Sequence, residues 1–584
     1  MVTGDGPTNV RDGALSGRCL DQVEAGSAVS TPVDCGVPWF TGCSSRGSGG
    51  FDLNHGSIKS GDDLDAACGT VGLIPAVIRR HERRITSSLS GRISGAFEIQ
   101  TPCRLENGGV VSLSRIEGNI RDFIGTMDSL QPIVPVAFVP AAGAASRFLE
   151  PLKPLAQALA KSLTSGNGDA VMKFVREVIP KDKPWPLPGA LGDLIRSPAA
   201  ISGSGKAHEV LETLSWPKAL FPCSRSGVTF LEAKSREHEA FRGNGVAFCG
   251  ELYVAPAGRK DHFKTSLDGI KSGNEGAIPH EVVEQDATLS TMRFRRDGSF
   301  VCGPDGKPSV VPAGHGALVN LFPAVRKSFP AADYLLIRNV DNVCGTSPEV
   351  CREVARFCDF SSALIRAVRH VRRFASAHDW GATGLQGALR FMLSLCPETE
   401  SRKFTPSLDG CLSAMAQIQR ELFHSLPGGA GGEVSGDELI QLFSRPVNVL
   451  GQVQNSGKDV GGTPVFAVTP DGKREKVCIE VAHVSPAQVD SVLRNPAVAT
   501  HFNPVFVASE LVDDFPAYSS DHPYWSCVHK KFEGEDVFYH ESFLYEILGS
   551  SSLSNVVFVE IPRSLFNPHK TLDDAASASV TFAR

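Results

Sequence analysis

The sequence predicts an α/β protein whose parallel sheet is covered by helices on both faces. From Pro135 onward, apolar runs that suit buried strands cover residues 136–139, 246–254 and 334–340. A helical segment over residues 152–174 separates the first two runs. Such alternation is typical of parallel sheets, because each crossover lays a helix over one face. Further strand-like runs follow residue 437, and they are "RPVNVLGQV", "TPVFAV", "VCIEVAHV" and "NVVFVEIP".

Two segments precede this core. Residues 1–70 are rich in Gly, Ser and Asp and show little periodicity, so we expect a disordered N-terminal extension. Residues 71–130 form a helix and strand segment. Within it, "LIPAVIRRHERRI" (residues 73–85) predicts a basic helix with its charges on a solvated face, and "RLENGGVVSLS" predicts a turn at Asn107-Gly108 between short strands.

Changes in composition divide the remainder into three parts. Residues 131–349 form the α/β core, and residues 350–430 form a helical insertion that contains "EVCREVARFCDFSSALIRAVRHVRRFASAH". The breaker "LPGGAGGEVSGD" ends the helical pattern. Residues 431–584 are again strand-rich, and we expect them to complete the core.

The overall composition excludes several classes of partner. The 584 residues carry a formal net charge of -6, with a pI near 6.3, which argues against nucleic acid because a phosphate backbone selects a basic face. No apolar run is long enough for a membrane span. The 15 cysteines are scattered without a C-x-x-C pair, so we expect neither a disulfide scaffold nor a zinc site, and we expect a reducing, cytoplasmic compartment.

The first candidate site is the loop "PAAGAASR", which follows the strand at residues 136–139. Small side chains let main-chain N–H groups approach a phosphate, and Arg147 would add a fork of donors. The alternative is close packing of a helix on the sheet. The small residues are Ala142, Gly143, Ala144, Ala145 and Ser146.

A lysine framed by prolines is the second candidate. In "WPKALFPC" the prolines at 217 and 222 would hold Lys218 in a rigid loop. An ordinary surface lysine is the alternative. Lys153 in "LEPLKPL" competes for the same role, and the better proline frame favours Lys218.

The third candidate is a glycine-rich loop in "VVPAGHGALVNLF". Pro312, Gly314, His315 and Gly316 would let the main chain lie flat against a base or a phosphate. A simple turn explains the same residues equally well.

The fourth candidate is a strand that ends in oxygen donors. "YLLIRNVDNVCG" runs directly into Asn339, Asp341 and Asn342. A carboxylate at this end of a strand is well placed to hold Mg²⁺, which takes oxygen ligands and shares them with phosphates. The alternative is an Asx turn that ends the strand.

The fifth candidate lies near the carboxyl terminus, in "NVVFVEIPRSLFNPHKTLDDA". A strand leads through "FNPHK" to Lys570, which could reach back to an anionic ligand. By itself this stretch also fits a surface loop.

The order of these five stretches resembles the UDP-sugar pyrophosphorylases, nucleotidyltransferases of the GT-A fold. "AGAASR", "WPKALFP", "PAGHG", "NVDN" and "PRSLFNPHK" are similar to that family's G-G-x-G-T-R, lysine, P-x-G-H-G, N-x-D-N and P-R…F-x-P-x-K elements. "VCIEVAHVS" resembles its acidic sugar-contacting segment at Glu480, and "HFNPVFVASEL" resembles its asparagine-containing strand at Asn503.

A closer resemblance is to the uncharacterised family DUF4301. "PAAGAASR", "PKALFP", "PAGHGAL", "IRNVDN", "RPVNVLGQVQN", "THFNPV" and "FVEIPRSLFNPHKT" follow one another in that family's order, between Pro140 and Thr571. Together they span roughly three quarters of the chain. The sequence departs from the pyrophosphorylase loop, because it keeps only Gly143 of the glycines in that loop.

The resemblance implies a GT-A or Rossmann-like fold with a mixed, mainly parallel sheet, and Mg²⁺-dependent transfer between a nucleoside triphosphate and a sugar 1-phosphate. Arg147 would bind the β and γ phosphates, Lys218 the α phosphate, and Asp341 the metal. The loops at Gly143 and at Pro312 and 314–316 would hold the nucleotide, while Lys570, Glu480 and Asn503 would face the sugar phosphate. A glycosyltransferase on the same fold and an inactive nucleotide-binding module are the alternatives.

Overall fold

The computed structural model describes residues 61–90, 97–125, 132–143, 147–165, 171, 173, 177, 185–196, 204–303, 305–397, 404–426, 434–457, 462–513 and 523–582. Most of the predicted N-terminal extension, residues 1–60, lies outside these ranges. The last ten residues of that predicted extension, 61–70, form a helix rather than a disordered segment. Leu64, Ala67 and Cys68 bury their side chains against the helix that follows.

The strands of the described residues are numbered in chain order: β1 (Glu98–Pro102), β2 (Val111–Ser112), β3 (Pro135–Pro140), β4 (Gly250–Pro256), β5 (His280–Gln285), β6 (Ser290–Met292), β7 (Val310–Pro312), β8 (Tyr334–Arg338), β9 (Val447–Gln454), β10 (Thr463–Val468), β11 (Arg474–Ile479), β12 (His501–Phe502), β13 (Phe506–Glu510), β14 (Trp525–Phe532), β15 (Glu535–Ser542) and β16 (Asn555–Glu560).

The central sheet is mixed and mainly parallel, as the sequence predicts. Its strands lie in the order β2-β16-β9-β13-β8-β3-β4-β5, and β12 pairs with β9 beside this path. Strand β13 runs antiparallel to both β8 and β9, whereas the other neighbours along the path are parallel. The carboxyl ends of β3, β8 and β16 therefore lie at one edge of the sheet, which is where ligands bind in open α/β sheets.

The helices are numbered in the same way: α1 (Gly61–Thr70), α2 (Pro75–Leu89), α3 (Leu113–Gly125), α4 (Lys153–Ser165), α5 (Gly189–Arg196), α6 (Ser204–Leu214), α7 (Phe230–Gly243), α8 (Lys260–Lys271), α9 (Phe322–Ser328), α10 (Pro348–Ser376), α11 (Thr383–Leu395), α12 (Leu408–Glu421), α13 (Gly436–Phe443), α14 (Pro486–Gln488), α15 (Leu544–Leu548) and α16 (Leu572–Ser577).

Both faces of the sheet are covered. On one face Leu336 of β8 packs with the apolar stripe of α10, together with α11 and α12. On the other face Leu335 and Ile337 pack with α9 and with the small sheet of β1, β10 and β11. Because alternate residues of a strand point to opposite faces, a strand buried on both faces is apolar throughout, which explains the continuous run "YLLI".

Several boundaries differ from the sequence expectation. The strand predicted over 246–254 begins only at Gly250, because Val246 donates its N–H to Phe241 O and ends helix α7. The helix predicted over 152–174 is observed as α4, and most of residues 166–184 lie outside the described ranges. The run "VCIEVAHV" leaves the strand at Ile479 and continues as a short 3₁₀ turn.

A buried ion network links helix α7 to the end of strand β8. Glu237 accepts hydrogen bonds from Lys234 Nζ at 2.9 Å and from Arg338 Nη1 at 3.0 Å, and all three side chains are fully buried. The other Glu237 oxygen accepts the N–H groups of Cys344 and Gly345. Burial opposes ionisation, but Arg338 and Lys234 outweigh it and lower the pKa of Glu237. The network thus holds the loop that follows β8.

None of the described helices combines the length and the apolar composition that crossing a lipid bilayer requires.

Candidate functional site

A cleft of about 570 Å³ opens at the carboxyl ends of β3 and β8. Residues from all five candidate stretches line it, although 423 positions (570 − 147) separate the first and last cation. The predicted residues that line the cleft are Ala142, Gly143, Arg147, Lys218, Pro312, Gly314, His315, Asp341, Glu480, Asn503 and Lys570. Three others of the predicted set, Ala144, Ala145 and Ser146, lie outside the described residues.

Arg147 is the most accessible cation of the cleft. It follows the 140–143 loop directly after β3, and its side chain is exposed. The neighbouring Phe148 is buried, and its ring packs edge-on against Phe221 and Phe230. The aromatic anchor fixes the main chain at Arg147 and leaves the guanidinium free to meet a ligand.

Lys218 is held at the floor of the cleft. Its Nζ lies 3.1 Å from Asp341 Oδ2 and also donates to the carbonyl of His569. The rings of Phe148 and Phe230 lie 5.1 and 5.0 Å from the same nitrogen. Burial lowers the pKa of Lys218, although the Asp341 carboxylate opposes that shift. The competing Lys153 begins helix α4 and pairs with Glu150 outside the cleft lining.

Asn342 joins the loop after β8 to the carboxyl-terminal segment. Its Nδ2 donates to Leu565 O at 3.0 Å, and its Oδ1 accepts the N–H of Asn567 at 2.7 Å. His569 then donates its main-chain N–H to Asp341 O, and its Nδ1 lies 2.7 Å from Cys223 O. These bonds bring the lysine loop, the Asp341 loop and the "FNPHK" segment together, which no local sequence pattern specifies.

Asp341 presents a carboxylate to the cleft with its side chain 28% exposed, and Asn339 lies beside it in the lining. No group of three or more His, Cys, Asp or Glu side chains positioned to hold a metal occurs in the part of the chain that the structure describes. One carboxylate with nearby amide oxygens fits Mg²⁺ when phosphates supply most of the other ligands.

Hydrogen bonds hold the Gly-His-Gly loop against the end of strand β15. Ser542 donates its main-chain N–H to Ala313 O at 2.9 Å, and Leu544 N–H donates to His315 Nδ1, also at 2.9 Å. Burial lowers the pKa of His315 to about 4, so this imidazole is neutral and acts as an acceptor. Gly314 and His315 face the cleft, whereas Gly316 packs against Ser542 and Phe543.

We expect Gly314→Ala to destabilise the protein and displace this loop. Gly314 has φ +85°, and a Cβ there would lie 2.4 Å from Ser542 O, so the substitution adds backbone strain and a clash of about 2 kcal/mol or more. Gly143→Ala is the matched control, because an added Cβ at Gly143 meets no atom within 4 Å of the described structure. Denaturant unfolding of both variants measures the difference, and equal stabilities would contradict the expectation.

Glu480 lines the cleft close to two other acidic groups, Glu546 and Glu541. Burial, followed by the charge of Glu546, raises its pKa to about 7. Glu546 is fully buried and accepts the N–H of Glu480 at 2.8 Å, while His483 Nδ1 lies 2.7 Å from its carboxylate. Burial opposes protonation of His483, but Glu546 outweighs it and raises the pKa of His483. The cleft therefore contains a carboxyl group that can carry a proton near neutral pH.

This shift predicts a pH dependence of stability. The pKa of Glu480 in the folded protein lies above the unfolded value of 4.5. The Glu480 carboxyl group therefore makes its full contribution to folding stability below about pH 4.5, and this contribution is lost as the pH rises through about 7. We expect the free energy of unfolding of the parent protein to fall relative to Glu480→Gln, by about 3 kcal/mol between about pH 4.5 and pH 8. Denaturant titrations across that range test it, and parallel profiles would contradict it.

Asn503 shapes the wall beside Glu480. Its Nδ2 donates to Gly451 O at 2.7 Å, and its Oδ1 accepts the N–H of Val505 at 2.9 Å. Val505 has φ +58°, a left-handed conformation that a β-branched residue rarely adopts. The Asn503 amide thus stabilises a strained turn in the cleft lining, and strain of this kind concentrates at ligand sites.

Lys570 completes the cation set at the cleft rim. Its main-chain N–H donates to Asp574 Oδ2, which also caps helix α16. The Lys570 Nζ lies 5.8 Å from the centre of the Phe566 ring, another lining residue. Capping therefore anchors this part of the chain, and the Lys570 side chain lies beside Phe566 in the cleft lining.

Sequence reasoning missed Glu546, Tyr545, Val505 and His569. Tyr545 lines the cleft and packs against Gly462, and His569 positions Lys218 through its carbonyl. The "FNPHK" pattern contained His569, but it gave no indication that the main chain rather than the ring would contact the lysine. Glu546 carried no signal, because it lies in an apolar helix without a recognisable motif.

Fold and site together define a mixed α/β protein whose cleft at the strand ends brings three cations and two carboxylates together. Residues 433–578 match the model of a domain of unknown function, DUF4301. The match includes Glu480, Asn503 and Lys570, and it confirms over this range the resemblance stated from the sequence. A comparison with curated proteins found no match.

Several solved structures are similar to this chain at low identity. A mutant UDP-glucose pyrophosphorylase from Leishmania major in complex with UDP-Glc is 12% identical, with a TM-score of 0.45 over 88% of this chain and 77% of that one. A UDP-glucose phosphorylase from Trypanosoma brucei is 16% identical, with a TM-score of 0.37 over 72% and 77%. A putative UDP-N-acetylglucosamine pyrophosphorylase from Entamoeba histolytica is 10% identical, with a TM-score of 0.34 over 74% and 75%.

Proposed function

We propose that the protein is a Mg²⁺-dependent nucleotidyltransferase of the GT-A type, which joins a nucleoside triphosphate and a sugar 1-phosphate into a nucleotide-sugar and releases pyrophosphate. One observation carries the proposal: the cleft gathers Arg147, Lys218, Asp341, Glu480 and Lys570 from distant parts of the chain. The order of the motifs that supply them resembles that of the UDP-sugar pyrophosphorylases.

Nucleotidyl transfer needs positioning and charge neutralisation rather than a covalent intermediate. An oxygen of the sugar phosphate attacks the α phosphorus, and the bond from that phosphorus to the pyrophosphate oxygen breaks. Arg147 binds the β and γ phosphates and stabilises the departing pyrophosphate. Lys218, fixed between Asp341 and His569 O, neutralises the α phosphate and the attacking group.

The remaining walls bind the two substrates. The loop at Gly143 and the segment Pro312 to His315 bind the nucleotide through main-chain groups. Lys570 binds the sugar phosphate, and Glu480 and the turn at Asn503 lie against the sugar. Asp341 would hold Mg²⁺, which when bound neutralises charge on the triphosphate.

A substrate screen tests the proposal directly. Purified protein is incubated with each nucleoside triphosphate and a panel of sugar 1-phosphates, with and without Mg²⁺, and pyrophosphate release is measured enzymatically. We expect release that requires one pair of substrates and Mg²⁺. Binding of nucleotide in a thermal-shift assay without release for any pair would instead support the inactive nucleotide-binding module.

A further inference from the structure

A second, smaller cavity lies behind the Gly-His-Gly loop, on the side away from the cleft. Its volume is about 140 Å³, and helix α2, strand β15 and the loop itself form its walls. The lining combines apolar residues with eight polar ones, which are Arg80, His81, Arg84, Thr288, Ser290, Asn320, His540 and Ser542.

Helix α2 turns one face toward this cavity. Val77, Arg80, His81 and Arg84 follow the i, i+3, i+4, i+7 spacing that places residues on one side of a helix. The other arginines of the predicted basic helix lie elsewhere, since Arg79 pairs with Asp65 and Arg83 is exposed. The charges expected on a solvated face are thus divided between solvent and this cavity.

Two buried histidines form the base of the cavity. The rings of His81 and His540 stack at 3.9 Å with an angle of 9° between their planes, and each is less than 8% exposed. His81 Nδ1 lies 3.0 Å from Thr291 Oγ1, and Arg84 Nη1 lies 3.2 Å from His540 Nε2. Arg84 also lies over the ring of Trp525, 5.2 Å from its centre.

The electrostatics of the cavity are positive. Burial, followed by the charges of Arg84 and Arg80, lowers the pKa of His81 to about 3. The described lining contains no carboxylate, and Glu541, the next residue after His540, contacts Gly314 instead. Guanidinium, imidazole and hydroxyl donors converging in a space of this size suit a tetrahedral oxyanion.

We propose that this cavity binds a phosphate group, either as inorganic phosphate or as the end of a small phosphomonoester. Arg80 and Arg84 neutralise the charge, and Ser290 and Asn320 supply further hydrogen bonds. The bound group is an effector rather than a substrate, because the Gly-His-Gly loop separates the cavity from the cleft.

Coupling between the two cavities is local. Ala313 and Gly316 line the small cavity, whereas Gly314 and His315 line the cleft. Strand β15 carries His540 into the small cavity and, two residues later, binds the same loop through Ser542. An oxyanion that orders His540 therefore orders the loop that faces the cleft.

Phosphate binding to the full chain tests the site independently of any catalytic activity. Arg147→Ala combined with Lys570→Met serves as the background, because Arg147 and Lys570 would otherwise bind phosphate in the cleft. Equilibrium dialysis with labelled phosphate should show one saturable site. Adding Arg80→Gln or Asn320→Asp should weaken this binding about tenfold or more, since each removes or opposes a charge-assisted contact. Adding Arg83→Gln on the exposed face should leave it unchanged.

Competition and exchange experiments complete the test. Displacement of the label by glycerol 3-phosphate identifies a monoester ligand, and displacement by inorganic phosphate alone identifies the free ion. Phosphate should also slow hydrogen exchange across residues 313–317, and Arg80→Gln should abolish this protection. Absence of a saturable site for both ligands, or equal binding by the Arg80→Gln and Arg83→Gln variants, would overturn the proposal, whatever the outcome of the substrate screen.

Discussion

Arg147→Ala should reduce turnover by about 10²–10⁴-fold while leaving the fold intact, because it removes the guanidinium that stabilises the leaving pyrophosphate. The side chain is exposed, and the chain at this point is anchored by the buried ring of Phe148, so no packed group is lost. Pyrophosphate release measures the effect on turnover, and thermal unfolding measures the fold.

Arg225→Ala is the matched control for this experiment. Arg225 is also an exposed loop arginine, close in sequence to the lysine loop, but it is not part of the described cleft lining. We expect its turnover to stay within about twofold of the parent protein, as for a surface substitution away from the site. Full activity in Arg147→Ala would remove this residue from the mechanism.

Glu237→Gln should destabilise the protein by about 3–5 kcal/mol, because it leaves two buried cations without their shared counter-charge. Lys234 and Arg338 both bond to the same Glu237 oxygen, and neither side chain is exposed to solvent. The lost network also supports the loop after β8, since Lys234 donates to Asn342 O. Activity should therefore fall together with stability.

Helix α7 supplies its own control. Glu232 lies five residues before Glu237 and pairs with Arg236, but this pair is partly exposed, with side chains 24% and 42% accessible. Exposed ion pairs contribute little, so Glu232→Gln should cost less than about 1 kcal/mol. Denaturant unfolding of the two variants compares them, and similar losses would show that burial does not determine the strength of the network.

Much of the architecture could be predicted because local pattern and tertiary environment agree. The runs that form β3, β8 and β16 are mainly apolar since those strands are buried on both faces, and a buried strand leaves a continuous signal. The apolar stripe of α10 likewise predicts a long helix from the sequence. Strand boundaries do not follow from local pattern alone, as at Gly250, because they depend on contacts with other elements.

The site could be predicted as a set of residues but not as a geometry. The motifs predicted Lys218 and Asp341 as separate site residues. Their contact depends on hydrogen bonds from Asn342 and His569, which join segments more than 200 residues apart. The Glu237 network was missed because buried charges look like surface charges in a sequence. The cavity behind the Gly-His-Gly loop was missed for the same reason, since Arg80 and Arg83 are indistinguishable before the helix is packed.

The most direct test of the catalytic role of the cleft is pyrophosphate exchange. Labelled pyrophosphate, Mg²⁺ and the nucleotide-sugar identified by the screen are incubated with the protein, and label in the nucleoside triphosphate is counted. We predict incorporation by the parent protein and by Lys153→Met, in which the competing lysine outside the cleft is replaced. Lys218→Met should lose incorporation by about 10²-fold or more. No incorporation by the parent protein, or equal incorporation by Lys218→Met and Lys153→Met, would contradict the assignment of nucleotidyl transfer to this cleft.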